Sequence, residues 1–152
     1  MVESFRRLLG RPLVKEAEHL SPDALAEHLY NAPFVLLSHT NTSDPIFCYA
    51  NQKAQELFGY AWSEFTQMPS RLSAEPLSQE DRERLLEQAR TRGYIDDYKG
   101  VRIAKNGSRF WIGDVILWNV ADDAGNFVGQ AASFSHWTML AAAPKAQMPS
   151  AP

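Results

Sequence analysis

The residues able to do chemistry are few, and their spacing excludes most reactions. The single cysteine, Cys48, has no histidine that the sequence places beside it, so a thiol nucleophile lacks its base. No Gly-x-Ser-x-Gly elbow and no glycine-rich phosphate loop occurs. The four histidines, His19, His28, His39 and His136, are scattered. His39 and His136 alone do not make a metal site without a third ligand. Asp96 and Asp97 are adjacent on a strand-like run and point to opposite faces, so at most one enters a given pocket. One solvated and one turn-capping carboxylate is the expectation there.

The informative stretch is Ser108 to Val120. By period two, Phe110, Ile112, Asp114, Ile116 and Trp118 share one face, and Trp111, Gly113, Val115 and Leu117 share the other. Both faces are mainly apolar, so both need a cover. One lines the domain's own interior. The other calls for the N-terminal helix or a second subunit, which with the amphipathic N-terminal helix predicts a homodimer. A carboxylate at Asp114 needs a partner. A two-residue turn at Asn106-Gly107 sets Lys99 opposite Asp114, whereas a three-residue loop brings Arg102 toward the interior. Two readings then stand, an ion pair that fixes the sheet or an anchor for a small polar ligand.

The elements that position these residues follow from periodicity and caps. Phe5, Leu8 and Leu9 lie at helical spacing before Gly10, and Ser21-Pro22 opens a second short helix carrying Leu25 and Leu29. Phe34 to His39 and Ile46 to Tyr49 read as strands around a turn, with Cys48 expected to be a small buried strand residue. Asn51 caps a helix stopped by Gly59, and Ser63 is expected to cap the turn that follows. Ser78 to Asp81 resembles a capping box for a helix ending at Gly93, with Glu80 and Arg84 at pairing distance. Tyr94 to Ala104, Ser108 to Val120 and Phe127 to Trp137 read as three antiparallel strands. The expected organisation is a helical cap over 1–31, an α+β domain with a five-stranded antiparallel sheet over 32–138, and a small-residue, proline-rich tail over 139–152, expected to be disordered.

Composition bounds the class. The chain has 152 residues, 45% hydrophobic and 22% charged, enough for one packed core. A net charge of -3 gives no electrostatic footprint for nucleic acid or an anionic membrane. One cysteine rules out an internal disulfide, and no apolar run reaches the roughly 18 residues of a span. No secretory signal is read at the start, so a cytoplasmic protein is expected.

The segment Ile46 to Tyr60, then Lys105 to Trp111, Asp122 to Asn126 and Phe127-Val128-Gly129, resembles a PAS domain. The match is to two strands and an Asn-opened, Gly-Tyr-closed helix, followed by three strands. Phe65 to Pro76, Ile95 to Tyr98 with Gly100-Val101-Arg102, and Gly129 to Ala132 with Phe134-Ser135 are similar to the MEKHLA domain, a PAS-related family of bacteria, algae and plant class III homeodomain-leucine zipper proteins, here in its stand-alone bacterial form. The resemblance implies short helices on one face of the sheet and a sensory or regulatory role, and supplies no catalytic residues. It implies that Ile112 faces the cavity, and Asp114 with it. It sets Ser70 where flavin photoreceptors carry their adduct-forming cysteine, and Arg102 and Ile112 where flavin-contacting asparagines stand, which argues against a covalent flavin adduct. No histidine lies between Asn51 and Gly93, which argues against haem. Arg71, beside the pocket in such a fold, is a candidate clamp for a carboxylate or phosphate. The candidate ligand-binding residues are therefore Arg71, Lys99, Arg102, Ile112, Asp114, Trp118 and Gln130.

The leading expectation is a sensory module that binds a small molecule in its interior and acts through dimerisation or a partner protein. The alternative is a ligand-free interaction module. A small enzyme using Asp114, Lys99 and Arg71 ranks last.

Overall fold

The computed structural model describes residues 1–17, 19–76 and 79–141. Helices α1 (Val2–Leu9) and α2 (Pro22–Tyr30) precede strands β1 (Val35–Thr40) and β2 (Phe47–Ala50). Helices α3 (Gln52–Phe58), α4 (Trp62–Phe65) and α5 (Gln79–Arg92) follow, with a short 3-10 turn at Ser70–Ser73. Strands β3 (Tyr94–Ile103), β4 (Arg109–Ala121), β5 (Phe127–Phe134) and β6 (His136–Met139) complete the chain. The sheet is antiparallel in the order β2-β1-β5-β4-β3, and β6 pairs with β4 where β5 has ended. The expected third strand of the second half is thus divided at Ser135, giving six strands rather than five among the described residues.

Most of the anticipated caps form. The Ser21 hydroxyl accepts from the Ala24 amide at 3.2 Å, with Pro22 at the first helical position. Asn51 caps α3, and Gly59 ends it at φ 79°, in the left-handed region that glycine enters without a Cβ penalty. Ser63 does not cap α4. The chain enters the helix two residues earlier, and Ala61 holds the cap position without a side-chain bond. Ser78, the proposed opening of α5, lies outside the described residues. Arg84 pairs with Asp81 at 3.3 Å, one residue closer than the expected Glu80. Cys48 is exposed, because it occupies the outward position of an edge strand.

Both faces of the sheet are covered by this one chain. On the inner face, α3 and α4 close over Val35, Leu37, Phe47, Phe110, Ile112, Val115, Ala132 and Phe134. On the outer face, α1 and α2 lie over Leu36, Trp118 and Ala131. Phe5 of α1 meets the Trp118 ring edge-on at 4.9 Å, and the Trp118 indole N–H donates to the Met1 carbonyl at 3.1 Å. The apolar outer side of β4 therefore needs no second subunit to cover that patch.

Two bulges set which side chains face inward. From Ile95↔Leu117 to Tyr98↔Val115, β3 spends one residue more than β4. From Tyr98↔Val115 to Gly100↔Ile112, β4 spends one residue more than β3. The two insertions cancel, so the register is the same beyond both. The bulge on β4 passes through Asp114, at φ 50°. Its effect is to break the period-two reading, since Phe110, Ile112, Val115 and Leu117 face inward while Ile116 and Trp118 face α1. The expected grouping of Asp114 and Trp118 with Ile112 fails for this reason.

Candidate functional site

The inner face is packed with rings. Phe47 and Phe65 meet at 4.8 Å, Phe58 and Phe110 at 5.1 Å, and Phe58 and Phe65 at 5.4 Å, all edge-to-face. Phe58, Phe65, Phe110 and Ile112 are at most 1% exposed. Ile112 is sealed into the core and offers no polar group to a ligand, and Phe58 and Phe110 are packed beside it. No set of three His, Cys, Asp or Glu residues is placed to hold a metal ion among the described residues.

Open space lies instead beside this core, under α5. A groove of about 430 Å3 runs between α5 and β3. Asp81, Arg84, Leu85 and Gln88 line it from the helix, and Ile95, Asp97, Tyr98 and Lys99 from the strand. The bulge at Asp96-Asp97 turns both Ile95 and Tyr98 inward although they are three residues apart. Leu85 touches the core cluster, while Leu86 stands 55% exposed on the helix. The result is an apolar floor of Leu85, Ile95 and Tyr98 with a charged rim. A second recess, of about 490 Å3, lies at Trp111, Gly113, Ser135, His136, Trp137 and Thr138. Unlike the first, it contains no residue buried in the core cluster.

The C-terminal end of α5 is fixed firmly. Asn119 donates from its side chain to the Ala89 carbonyl at 3.0 Å and from its backbone to the Gly93 carbonyl at 2.8 Å. Gln130 in turn donates to the Asn119 side-chain oxygen at 3.0 Å. Gly93 ends the helix at φ 79°, and a Cβ there would fall 2.7 Å from Leu8 of α1. Arg92 stacks over Tyr94 at 4.5 Å, and its side-chain hydrogen bond with Tyr94 raises the guanidinium pKa above its ordinary value.

The turn at Lys105-Asn106-Gly107 has three residues, closed by Ala104 N–H to the Ser108 carbonyl at 2.8 Å, with Gly107 at φ 85°. Of the two registers open from the sequence, this is the one that brings Arg102 toward the interior. Arg102 is half-buried, donates to the Tyr98 hydroxyl at 3.2 Å and to the Val101 carbonyl at 3.1 Å, and its guanidinium lies 5.3 Å from the Tyr98 ring centre. Lys99 is exposed on the groove rim. Asp114 is exposed in its bulge and makes no ion pair among the described residues, so it meets neither Lys99 nor Arg102.

The remaining candidates disperse. Arg71 points away from the groove and pairs with Asp44 at 3.1 Å, both side chains more than half exposed. Ile112 is core. Trp118 is buried on the opposite face under α1. Gln130 is half-buried and engaged with Asn119. Leu85, Gln88 and Gly100 were not anticipated as site residues. A lone leucine on a polar helix face was the available signal for the first, and the second needed the helix-to-strand geometry.

This architecture, an antiparallel sheet holding short helices on one face, is the PAS fold. A PAS domain from Colwellia psychrerythraea superposes with a TM-score of 0.60 at 15% identity, over 73% of this chain and 92% of that one. An RNA-binding light-oxygen-voltage receptor gives 0.63 at 22% identity, over 80% of this chain and 34% of the receptor. The PAS domain of the fruit-fly ELK potassium channel gives 0.56 at 14% identity, over 73% and 92%. The MEKHLA domain profile matches residues 1–139, and the chain belongs to the MEKHLA domain family. No curated protein sequence matches it. No helix among the described residues is long and apolar enough to cross a membrane.

Proposed function

We propose that the chain is a cytoplasmic sensory or regulatory module that takes a small molecule into the groove between α5 and β3. Its occupancy is passed on through a partner protein or a change of association state. The observation that supports this reading is the groove itself, whose charged rim stands on a floor continuous with the core. Helix α5 is the element suited to respond. Among the described residues Leu85 is the α5 side chain packed against the core cluster, so few apolar contacts hold the N-terminal part of the helix down. The anchored end at Asn119 and Gly93 gives that movement a pivot.

A second reading has its own support. The ring-filled inner face suits a ligand-free interaction module, because nothing need enter the cup for it to be stable. Native mass spectrometry compared with the denatured protein separates the two and counts subunits in the same spectrum. A non-covalent mass lost on denaturation, and reduced in Leu85→Glu, supports ligand sensing. A bare chain whose melting temperature responds to no compound in a broad metabolite screen overturns it in favour of the interaction module.

A further inference from the structure

Arg102 carries a charge that the described residues leave without a carboxylate. Arg71, Arg84, Arg90, Arg92 and Arg109 each lie within salt-bridge distance of an Asp or Glu. The guanidinium of Arg102 instead meets two neutral acceptors, the Tyr98 hydroxyl and the Val101 carbonyl, while itself half-buried. A guanidinium has five donors in a fork matched to carboxylate geometry, and neutral acceptors compensate its desolvation poorly. Because the Tyr98 oxygen accepts from Arg102, its own proton is free to donate onward.

Gly100 leaves the room that this pair fills. A Cβ on Gly100 would fall 3.0 Å from the Tyr98 hydroxyl and 3.6 Å from Arg102 Nη1. Tyr98 is also a wall of the groove, so the arginine lies next to one of the groove's own residues. The charges around the groove are Asp81, Arg84, Asp97 and Lys99, two of each sign, with Asp81 held by Arg84 at 3.3 Å. Adding Arg102 leaves one positive charge in excess. From there the floor continues over Leu85 and Ile95.

Building on the groove as the sensory site, we propose that its ligand is a small molecule with a carboxylate head and a short apolar chain. The carboxylate accepts from Arg102 and the Tyr98 hydroxyl, with Lys99 at the rim. The chain lies along Leu85 and Ile95.

The test uses the full chain and three matched eight-carbon probes: octanoate, octanol and octylammonium. Affinities come from calorimetry, and the Leu85 and Ile95 methyl signals locate binding. Octanoate is expected to bind about tenfold or more tighter than octanol, the value of one charge-assisted hydrogen bond, with octylammonium weakest. Arg102→Gln is expected to remove that preference while leaving octanol within about twofold, and Arg102→Lys to restore part of it. If all three probes shift both methyls with equal affinity, the groove stands as a site and the carboxylate assignment falls. An Arg102→Gln protein that folds and keeps the octanoate preference also overturns the assignment. If no probe shifts either methyl, the groove reading falls with it.

Discussion

Asn51 is fully buried, and its amide is used at every available position. Its Oδ1 accepts from the Leu36 and Ala54 amides, each at 3.1 Å, and its Nδ2 donates to the Leu29 carbonyl at 3.0 Å and the Phe34 carbonyl at 2.9 Å. One side chain thus ties the end of α2, the entry to β1 and the start of α3. Asn51→Ala removes an N-cap, costing about 1 kcal/mol, and strands two further backbone groups, the Leu36 amide and the Phe34 carbonyl, at about 1 kcal/mol each or more, while the Leu29 carbonyl keeps the Ala32 amide. The sum, about 3 kcal/mol, is a large share of the roughly 5–15 kcal/mol that holds a domain together. At about 2–4 °C per kcal/mol, the melting temperature is expected to fall by about 6–12 °C. Urea unfolding followed by tryptophan fluorescence measures the loss directly, and the slope with denaturant should stay unchanged. Asn51→Asp sharpens the test. A carboxylate keeps the two acceptor bonds but faces two carbonyl oxygens, so its folded-state pKa is expected to lie above its unfolded one. The variant should therefore gain stability as pH falls below neutral, the reverse of an ordinary paired carboxylate. A loss under about 1 kcal/mol for Asn51→Ala would refute the reasoning, since a single cap on a solvated helix gives that much.

Three further outcomes follow from particular positions. Gly129→Ala would place a Cβ 2.2 Å from the His39 carbonyl oxygen on the paired strand, so β1 and β5 must part. The expected result is a loss of about 3 kcal/mol or failure to fold, read by urea titration. At Asp114, with φ 50°, Asp114→Gly should leave stability within about 1 kcal/mol of the parent, whereas Asp114→Val should cost about 1–2 kcal/mol or more. A large loss with glycine would instead reveal work done by the carboxylate. Asp122 accepts from the Ala124 and Asn126 amides at 3.0 and 2.8 Å, and these bonds hold its carboxyl below the usual range. Its contribution is present above the unfolded pKa, near 3.9, and is lost as pH falls through the lower folded value. Asp122→Asn should flatten the stability profile of the β4–β5 turn in that acid window, measured by amide exchange of Asn126.

Much of the fold was legible because local chemistry agreed with the global arrangement. Ser21-Pro22, Asn51 and Gly59 each perform the capping role their types favour. The need for a cover over both faces of β4 was also visible, and the chain's own α1 meets it on the outer side. The site was less legible, for a definite reason. A period-two argument carries a side chain to the correct face only while no residue is inserted, and β4 inserts one at Asp114 while β3 inserts one at Asp96-Asp97. Asp114 was therefore read as an inward anchor and stands in solvent, and Trp118 was grouped with Ile112 and lies under α1. The β4 bulge has Asp114 rather than glycine at its left-handed position, and the β3 bulge has no left-handed residue, so no positive-φ glycine marks either. The hairpin offered two registers, and the three-residue loop is the one that forms, setting Arg102 opposite Phe110. Cys48 was read as buried from its residue type alone, and its place on the edge strand β2 decided otherwise.

The central claim is that a ligand enters between α5 and β3 rather than within the ring-packed cup. Hydrogen exchange of the full chain, with and without saturating octanoate, tests it most directly. The account predicts added protection over Gln79–Arg92 and the first half of Tyr94–Ile103, with β1, β2 and α3 unchanged. Protection that rises across β1, β2 and α3 while α5 is unaffected would contradict it and place the ligand inside the cup.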